Sequence, residues 1–264
     1  MSALTKNNLP LIIGHRGASA FAPENTMAAF NLAIESGADG IEFDVRLSRD
    51  QIPVIIHDDT LLRTAGLPNR VSDLSLKDLS QVDVGSWFKT RAQGTDFSGE
   101  KIPRLETLLR WAESSGTHLY LEMKSEANQR HELAKAVSRL LAHFDPDKVV
   151  VESFDLEALK IMKNRAPLVR TAALFEPSLT NPPRFRTAQL LERAYEAGAA
   201  EIALHHRLVN KRIVELAHER GYEVVVWTVD DPKWIDRARL LKVSALITNN
   251  PRLLVVQRNR VVDG

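Results

Sequence analysis

Short apolar runs rich in β-branched residues recur along the chain and alternate with longer stretches whose apolar positions follow helical spacing. Parallel β/α architecture writes this alternation into a sequence. The runs are LIIGH (11–15), GIEFDV (40–45), HLYLEMK (118–124), KVVVESF (148–154), RTAALF (170–175), EIALHH (201–206), EVVVWTV (223–229) and ALITN (245–249). Eight runs suit a closed α/β fold, a TIM-type (β/α)8 barrel. Helices are predicted at 26–36, 106–114, 129–143, 156–164, 187–197, 211–220 and 232–241. In the first of these Met27, Phe30 and Ile34 share a face, Asn25 or Thr26 supplies the N-cap, and Gly37 follows the end, the start and stop signals of a helix.

One interval breaks the rhythm. After Val45 the chain turns at SRDQ and gives a ninth strand-like run, PVIIHD (53–58), too close to hold a helix between, so a hairpin is expected. Residues 59–103 are rich in polar and turn residues but carry Trp87, Phe88 and Phe97. They read as an insertion after the second strand, on the face of a barrel where such segments shape the substrate entrance. The whole chain, 1–264, is expected to be a single domain with this small inserted segment.

Composition narrows the chemistry. With 35 basic and 34 acidic residues the net charge is +1, so no bulk field draws the chain to nucleic acid or to an anionic membrane. There is no cysteine, which removes disulfides, thiolate metal sites and cysteine nucleophiles. No leader-like apolar segment opens the sequence and no run approaches the ~20 residues that span a bilayer. The expectation is a cytoplasmic protein without stable membrane insertion, with homo-oligomerisation left open.

Alternation along GIEFDV puts Ile41, Phe43 and Val45 on one face and Glu42 and Asp44 on the other, because side chains of a strand point to opposite sides in turn. Strands of a parallel barrel are ordinarily apolar on both faces, and two adjacent buried carboxylates repel unless a cation or a shared proton neutralises them. HLYLEMK adds Glu122, with Lys124 near the strand end. Three carboxylates without thiolates favour a hard cation, Mg²⁺ or Ca²⁺. Internal ion pairs, Glu122 with Lys124 and Asp44 with Arg16, are the competing reading. His15 closes the first strand and His57 the hairpin run, which folds back beside Glu42 and Asp44. Two imidazoles near a cation and an arginine are the parts of acid–base phosphoryl transfer. Arg16 offers a planar fork for phosphate oxygens, Lys124 a point charge, and Trp227 an inward-facing wall. Glu24, Glu152, Ser153, His205 and His206 are weaker candidates, recommended by position alone.

HRG (15–17), PENT (23–26), GADGIEFDV (37–45), PVIIHD (53–58), LEMK (121–124), SF (153–154), WTV (227–229) and ITNNP (247–251) together resemble the glycerophosphodiester phosphodiesterase family. GSWF and IPRLETLL look like its insertion leading into the second helix. The resemblance implies a barrel enzyme that uses one divalent cation to hydrolyse small-molecule glycerophosphodiesters, such as glycerophosphocholine and glycerophosphoethanolamine, to sn-glycerol 3-phosphate and an alcohol. It implies His15 and His57 as the acid–base pair, Glu42, Asp44 and Glu122 as metal ligands, Arg16 and Lys124 as phosphate contacts, and Trp227 as the glycerol-side wall. Two positions depart from the pattern: Gln51 stands where the turn typically carries glycine, and Asn249 where the closing motif usually has aspartate. The alternatives are a lysophospholipase D with a lipid groove built on the insertion aromatics, and a non-catalytic barrel binding phosphorylated metabolites.

Overall fold

The computed structural model describes residues 9–88, 95–177 and 186–263. Residues 1–8, read above for a leader, and 89–94 of the inserted segment lie outside the described residues. The chain opens with β1 (Leu11–His15), α1 (Met27–Glu35), β2 (Gly40–Leu47) and β3 (Pro53–Ile55). Two short helices, α2 (Leu62–Ala65) and α3 (Leu76–Leu79), precede α4 (Leu105–Ser115). Strands and helices then alternate: β4 (His118–Met123), α5 (Arg130–Leu141), β5 (Val149–Ser153), α6 (Leu156–Arg165), β6 (Arg170–Phe175) and α7 (Arg186–Glu196). The chain ends with β7 (Glu201–His205), α8 (Lys211–Glu219), β8 (Glu223–Trp227), α9 (Trp234–Leu241), β9 (Ala245–Thr248) and α10 (Pro251–Asp263).

Eight parallel strands close on themselves, because β1 pairs with both β2 and β9 while the others follow in chain order. The TIM-type barrel expected from the eight runs is therefore the fold. β3 stands outside the ring, antiparallel to the extension of β2 that rises above the barrel, with Val45 opposite Ile55 and Leu47 opposite Pro53. Only three residues of PVIIHD pair as a strand, so His57 sits in the loop just after β3. Gln51 takes φ +61 in the connecting turn, the left-handed conformation that costs a side-chain-bearing residue about 1–2 kcal/mol and that the usual glycine would adopt freely.

Strand parity separates two apolar layers. Leu11, Ile13, Val150, Leu174, Val225 and Ile247 cluster inside the lumen, while Ile12, Phe43, Leu119, Val151, Leu204 and Leu246 belong to the larger layer beneath the helices. A third cluster of Val54, Ile56, Leu61, Val71, Leu79, Val84 and Ile102 gives segment 59–103 a small core of its own. Trp87, Phe88 and Phe97 stack edge to face on one another there, at 5.6 and 5.9 Å between centroids.

Local signals explain the elements. Thr26 caps α1, its hydroxyl accepting from Ala29 N, and Gly37 follows at φ +86. α10 was absent from the sequence expectation. Asn250 caps it by accepting from Leu253 N at 3.1 Å and Pro251 occupies its first turn, yet the LLVV run mimics a strand. α10 buries Leu254 and Val255. Among the described residues no helix is long and apolar enough to cross a membrane.

Candidate active site

The site begins where β1 ends. Arg16 and Gly17 both turn left-handed, at φ +55 and +85. A Cβ on Gly17 would lie 2.5 Å from the carbonyl carbon of Ala29, so only glycine lets the loop press against α1. The turn aims Arg16 N–H at Glu42 Oε2, 2.9 Å away. Asn25, also left-handed at φ +59, donates its amide to Asp44 Oδ2 at 2.8 Å and accepts from Asp44 N at 3.3 Å. Non-glycine residues persist in this conformation only where their surroundings over-determine it, which is common at functional sites.

β2 and β4 carry the carboxylates. Asp44 and Glu122 are register partners, and oxygens of Glu42, Asp44 and Glu122 lie within 4.8 Å of one another with all three side chains buried. Burial and the nearby Asp44 carboxylate push Glu42 well above the usual carboxylate range and take Glu122 to about 7. Burial would raise Asp44 too, but Lys124 and Arg16 outweigh it and hold that carboxyl well below the usual range. The ion pairs set against a metal in the sequence reading are present: Lys124 Nζ lies 2.8 Å from Glu122 and 3.2 Å from Asp44, and Arg16 Nε lies 3.2 Å from Asp44. Two cations are thus shared by three buried carboxylates, so the acids outnumber the cations paired with them. An oxygen-only donor set with like charges this close fits a hard divalent cation.

Both histidines are held through Nδ1. Asn249 Nδ2 donates to Asp230 Oδ2 at 2.8 Å, which fixes the amide so that its oxygen accepts from His15 Nδ1 at 2.7 Å. Asp58 Oδ1 accepts from His57 Nδ1 at 2.6 Å. Each ring thereby presents Nε2 as its free nitrogen, and His15 Nε2 lies 3.8 Å from Glu42. Burial and Arg16 lower His15 to about 4, so it is neutral across physiological pH rather than titrating near neutrality; burial lowers His57 as well.

These groups surround a cavity of about 250 Å³, with Trp227 on the opposite wall. The indole is pinned by its N–H to Ala203 O at 3.1 Å, and the rings of Phe154 and His205 meet it at 84° and 88°. His15, Arg16, Glu42, His57, Glu122, Lys124 and Trp227 thus face one space, with Asp44 beneath Arg16 and Lys124. Glu152, a weak candidate in sequence, also lines it, buried and with Oε2 unpartnered. Asp58 and Asp230 escaped the sequence reading, and Asn25 was read only as a cap. Asp58 follows His57 directly, the one signal that adjacency offered.

Residues 15–253 match the glycerophosphoryl diester phosphodiesterase family. The glycerophosphodiester phosphodiesterase of Caldanaerobacter subterraneus subsp. tengcongensis is 32% identical over 248 residues, covering 93% of this chain and 96% of that protein. An Oleispira antarctica phosphodiesterase in complex with the product sn-glycerol-3-phosphate superposes with a TM-score of 0.83 at 28% identity, covering 97% of this chain and 98% of that one. A Thermotoga maritima glycerophosphodiester phosphodiesterase gives 0.75 at 26% identity, covering 94% and 98%. Matched along nearly its whole length, the chain belongs to the glycerophosphoryl diester phosphodiesterase family and is a hydrolase of glycerophosphodiesters.

Proposed function

We propose that this enzyme cleaves water-soluble glycerophosphodiesters with small head groups, glycerophosphocholine and glycerophosphoethanolamine among them, releasing sn-glycerol 3-phosphate and the free alcohol. The observation that carries the reading is the convergence of two Nδ1-anchored histidines, a buried carboxylate trio and two cations on one small cavity. In this reading Arg16 and Lys124 turn from their carboxylates toward the phosphodiester oxygens. One imidazole, as the free base, takes through Nε2 the proton of the nucleophile, either water or the glycerol 2-hydroxyl whose cyclic phosphate water then opens, and the other, as imidazolium, protonates the departing alkoxide, so that no strong base leaves unprotonated. Trp227 walls the glycerol side. Glu42, Asp44 and Glu122 would hold one divalent cation, Mg²⁺ or Ca²⁺, which when bound supplies positive charge to the phosphoryl oxygens.

The lipid-diester alternative finds no support in the described residues of the insertion, where Trp87, Phe88 and Phe97 pack on one another, and a cavity of about 250 Å³ falls below the usual size for drug-sized ligands. Purely binding barrels need no pair of oriented imidazoles. A single-domain, cytoplasmic enzyme completes the reading, and cell fractionation checks the location.

The test is release of sn-glycerol 3-phosphate from glycerophosphocholine by the wild type, His15→Ala and His57→Ala. Both variants should lose at least ~10²-fold in kcat, the lower range for a general acid or base. Wild-type turnover by either folded variant would overturn the pairing.

A further inference from the structure

Arg63, on the short helix α2, touches neither the cavity nor the carboxylate trio, yet its fork joins two chains of contact that end there. Its Nε donates to Asp58 Oδ2 at 2.7 Å and its Nη2 to Asp58 Oδ1 at 3.1 Å. Its Nη1 donates to Glu24 Oε2 at 2.8 Å and the same Nη2 to Glu24 Oε1 at 2.7 Å. Four of the five guanidinium N–H groups are thus engaged in two bidentate pairs. Asp58 Oδ1 also accepts from His57 Nδ1, and Glu24 Oε1 also accepts from Arg16 Nη1 at 3.0 Å. One guanidinium therefore braces the loop after β3 and the loop after β1 at once.

We propose that Arg63 is a positioning residue that sets the orientation of His57 and Arg16 together, through Asp58 and Glu24. Isolated surface ion pairs contribute little, but a bidentate network on partly buried carboxylates is the exception; the Asp58 and Glu24 side chains are only 25% and 14% exposed. Without the guanidinium these two acids lose the cation they share and part, carrying His57 and Arg16 with them. A lysine would restore the charge but cannot span both carboxylates, since its ammonium is a single point donor. Arg63 is in turn seated against Trp87, whose ring centroid lies 5.9 Å from the guanidinium carbon and whose N–H is tied to Val84 O at 2.8 Å. Segment 59–103 thereby contributes to the chemistry through one side chain, placed by its own small core.

This inference rests on the proposed roles of His57 and Arg16, and the experiment separates the two. Release of sn-glycerol 3-phosphate from glycerophosphocholine is followed for wild type, Arg63→Ala, Arg63→Lys, His57→Ala and Arg16→Ala, each with millimolar guanidinium chloride or potassium chloride. Arg63→Ala should lose about 10²-fold in kcat/KM, the scale of a small misplacement of a catalytic group, and Arg63→Lys should recover only a minor part. Guanidinium, and not potassium, should raise Arg63→Ala several-fold while leaving wild type and His57→Ala unchanged, a response that a merely structural role would not show. Wild-type activity in Arg63→Ala, full recovery in Arg63→Lys, or equal effects of the two salts would each overturn the proposal. If Arg63→Ala does not fold, Arg63→Lys decides alone. Wild-type turnover by His57→Ala or Arg16→Ala would instead sink the reading of the site itself.

Discussion

The barrel lumen holds acids at both ends, and the two ends treat them differently. At the floor, Glu201 faces Arg170 at 2.9 Å and accepts the Tyr120 hydroxyl at 3.2 Å, while Glu223 accepts from Ser244. Each floor acid has an ion-pair or hydrogen-bond partner of its own. At the upper end Glu42, Asp44, Glu122 and Glu152 crowd one another and share two cations, Arg16 and Lys124, with Glu152 Oε2 buried and without a hydrogen-bond partner. Buried polar groups are normally satisfied. Acids that outnumber their cations at an open mouth mark a place built for something the chain does not itself supply, whereas a cross-strand pair at the closed end serves the fold.

Breaking the upper end should have the largest effect. Glu42→Gln is expected to lower kcat/KM by on the order of 10³, since a cation at a phosphoryl group is worth several kcal/mol, without lowering the melting temperature, because a buried carboxyl crowded by other acids gives way to a neutral amide of the same shape. Floor variants should show the reverse. Burial holds Glu201 near 7 rather than 4.5 despite Arg170, so its contribution to stability is complete below pH 4.5 and is lost as pH rises through about 7. Unfolding in urea at pH 5 and pH 8 should show Glu201→Gln gaining on the wild type at the higher pH by up to roughly 3 kcal/mol, with unchanged turnover. Asn249→Ala releases the His15 ring and should cost about 10- to 100-fold in kcat, the range for groups that orient a reactive side chain; steady-state kinetics with little change in KM would show it. The smallest effect lies outside the lumen: Gln51→Gly should stabilise by about 1 kcal/mol by relieving the left-handed turn, read as a raised urea midpoint with unchanged activity.

Much of this was legible in the sequence because strand parity is strict. GIEFDV had to bury Ile41, Phe43 and Val45 on the helix side, which sends Glu42 and Asp44 inward whatever the exact strand limits. His57 was placed by the length of the SRDQ turn, although the strand expected around it ended at Ile55. The partner of His15 was not legible, because Asn249 lies 234 residues away and meets it only when β9 closes on β1. Asp230 and Arg63 act through other side chains and leave no periodic trace. α2 and α3 are four residues long, too short to carry an apolar rhythm, and α10 hid behind its β-branched residues.

In the proposed mechanism Glu42, Asp44 and Glu122 hold a cation that the reaction needs. The most direct test is release of sn-glycerol 3-phosphate from glycerophosphocholine by enzyme stripped with a chelator and dialysed, before and after Mg²⁺ or Ca²⁺ is added back. Loss of turnover on stripping and its return with one of the two ions is the expected result. Undiminished turnover by the stripped, folded enzyme would contradict the account and return Glu42, Asp44 and Glu122 to the role of ion-pair partners for Arg16 and Lys124.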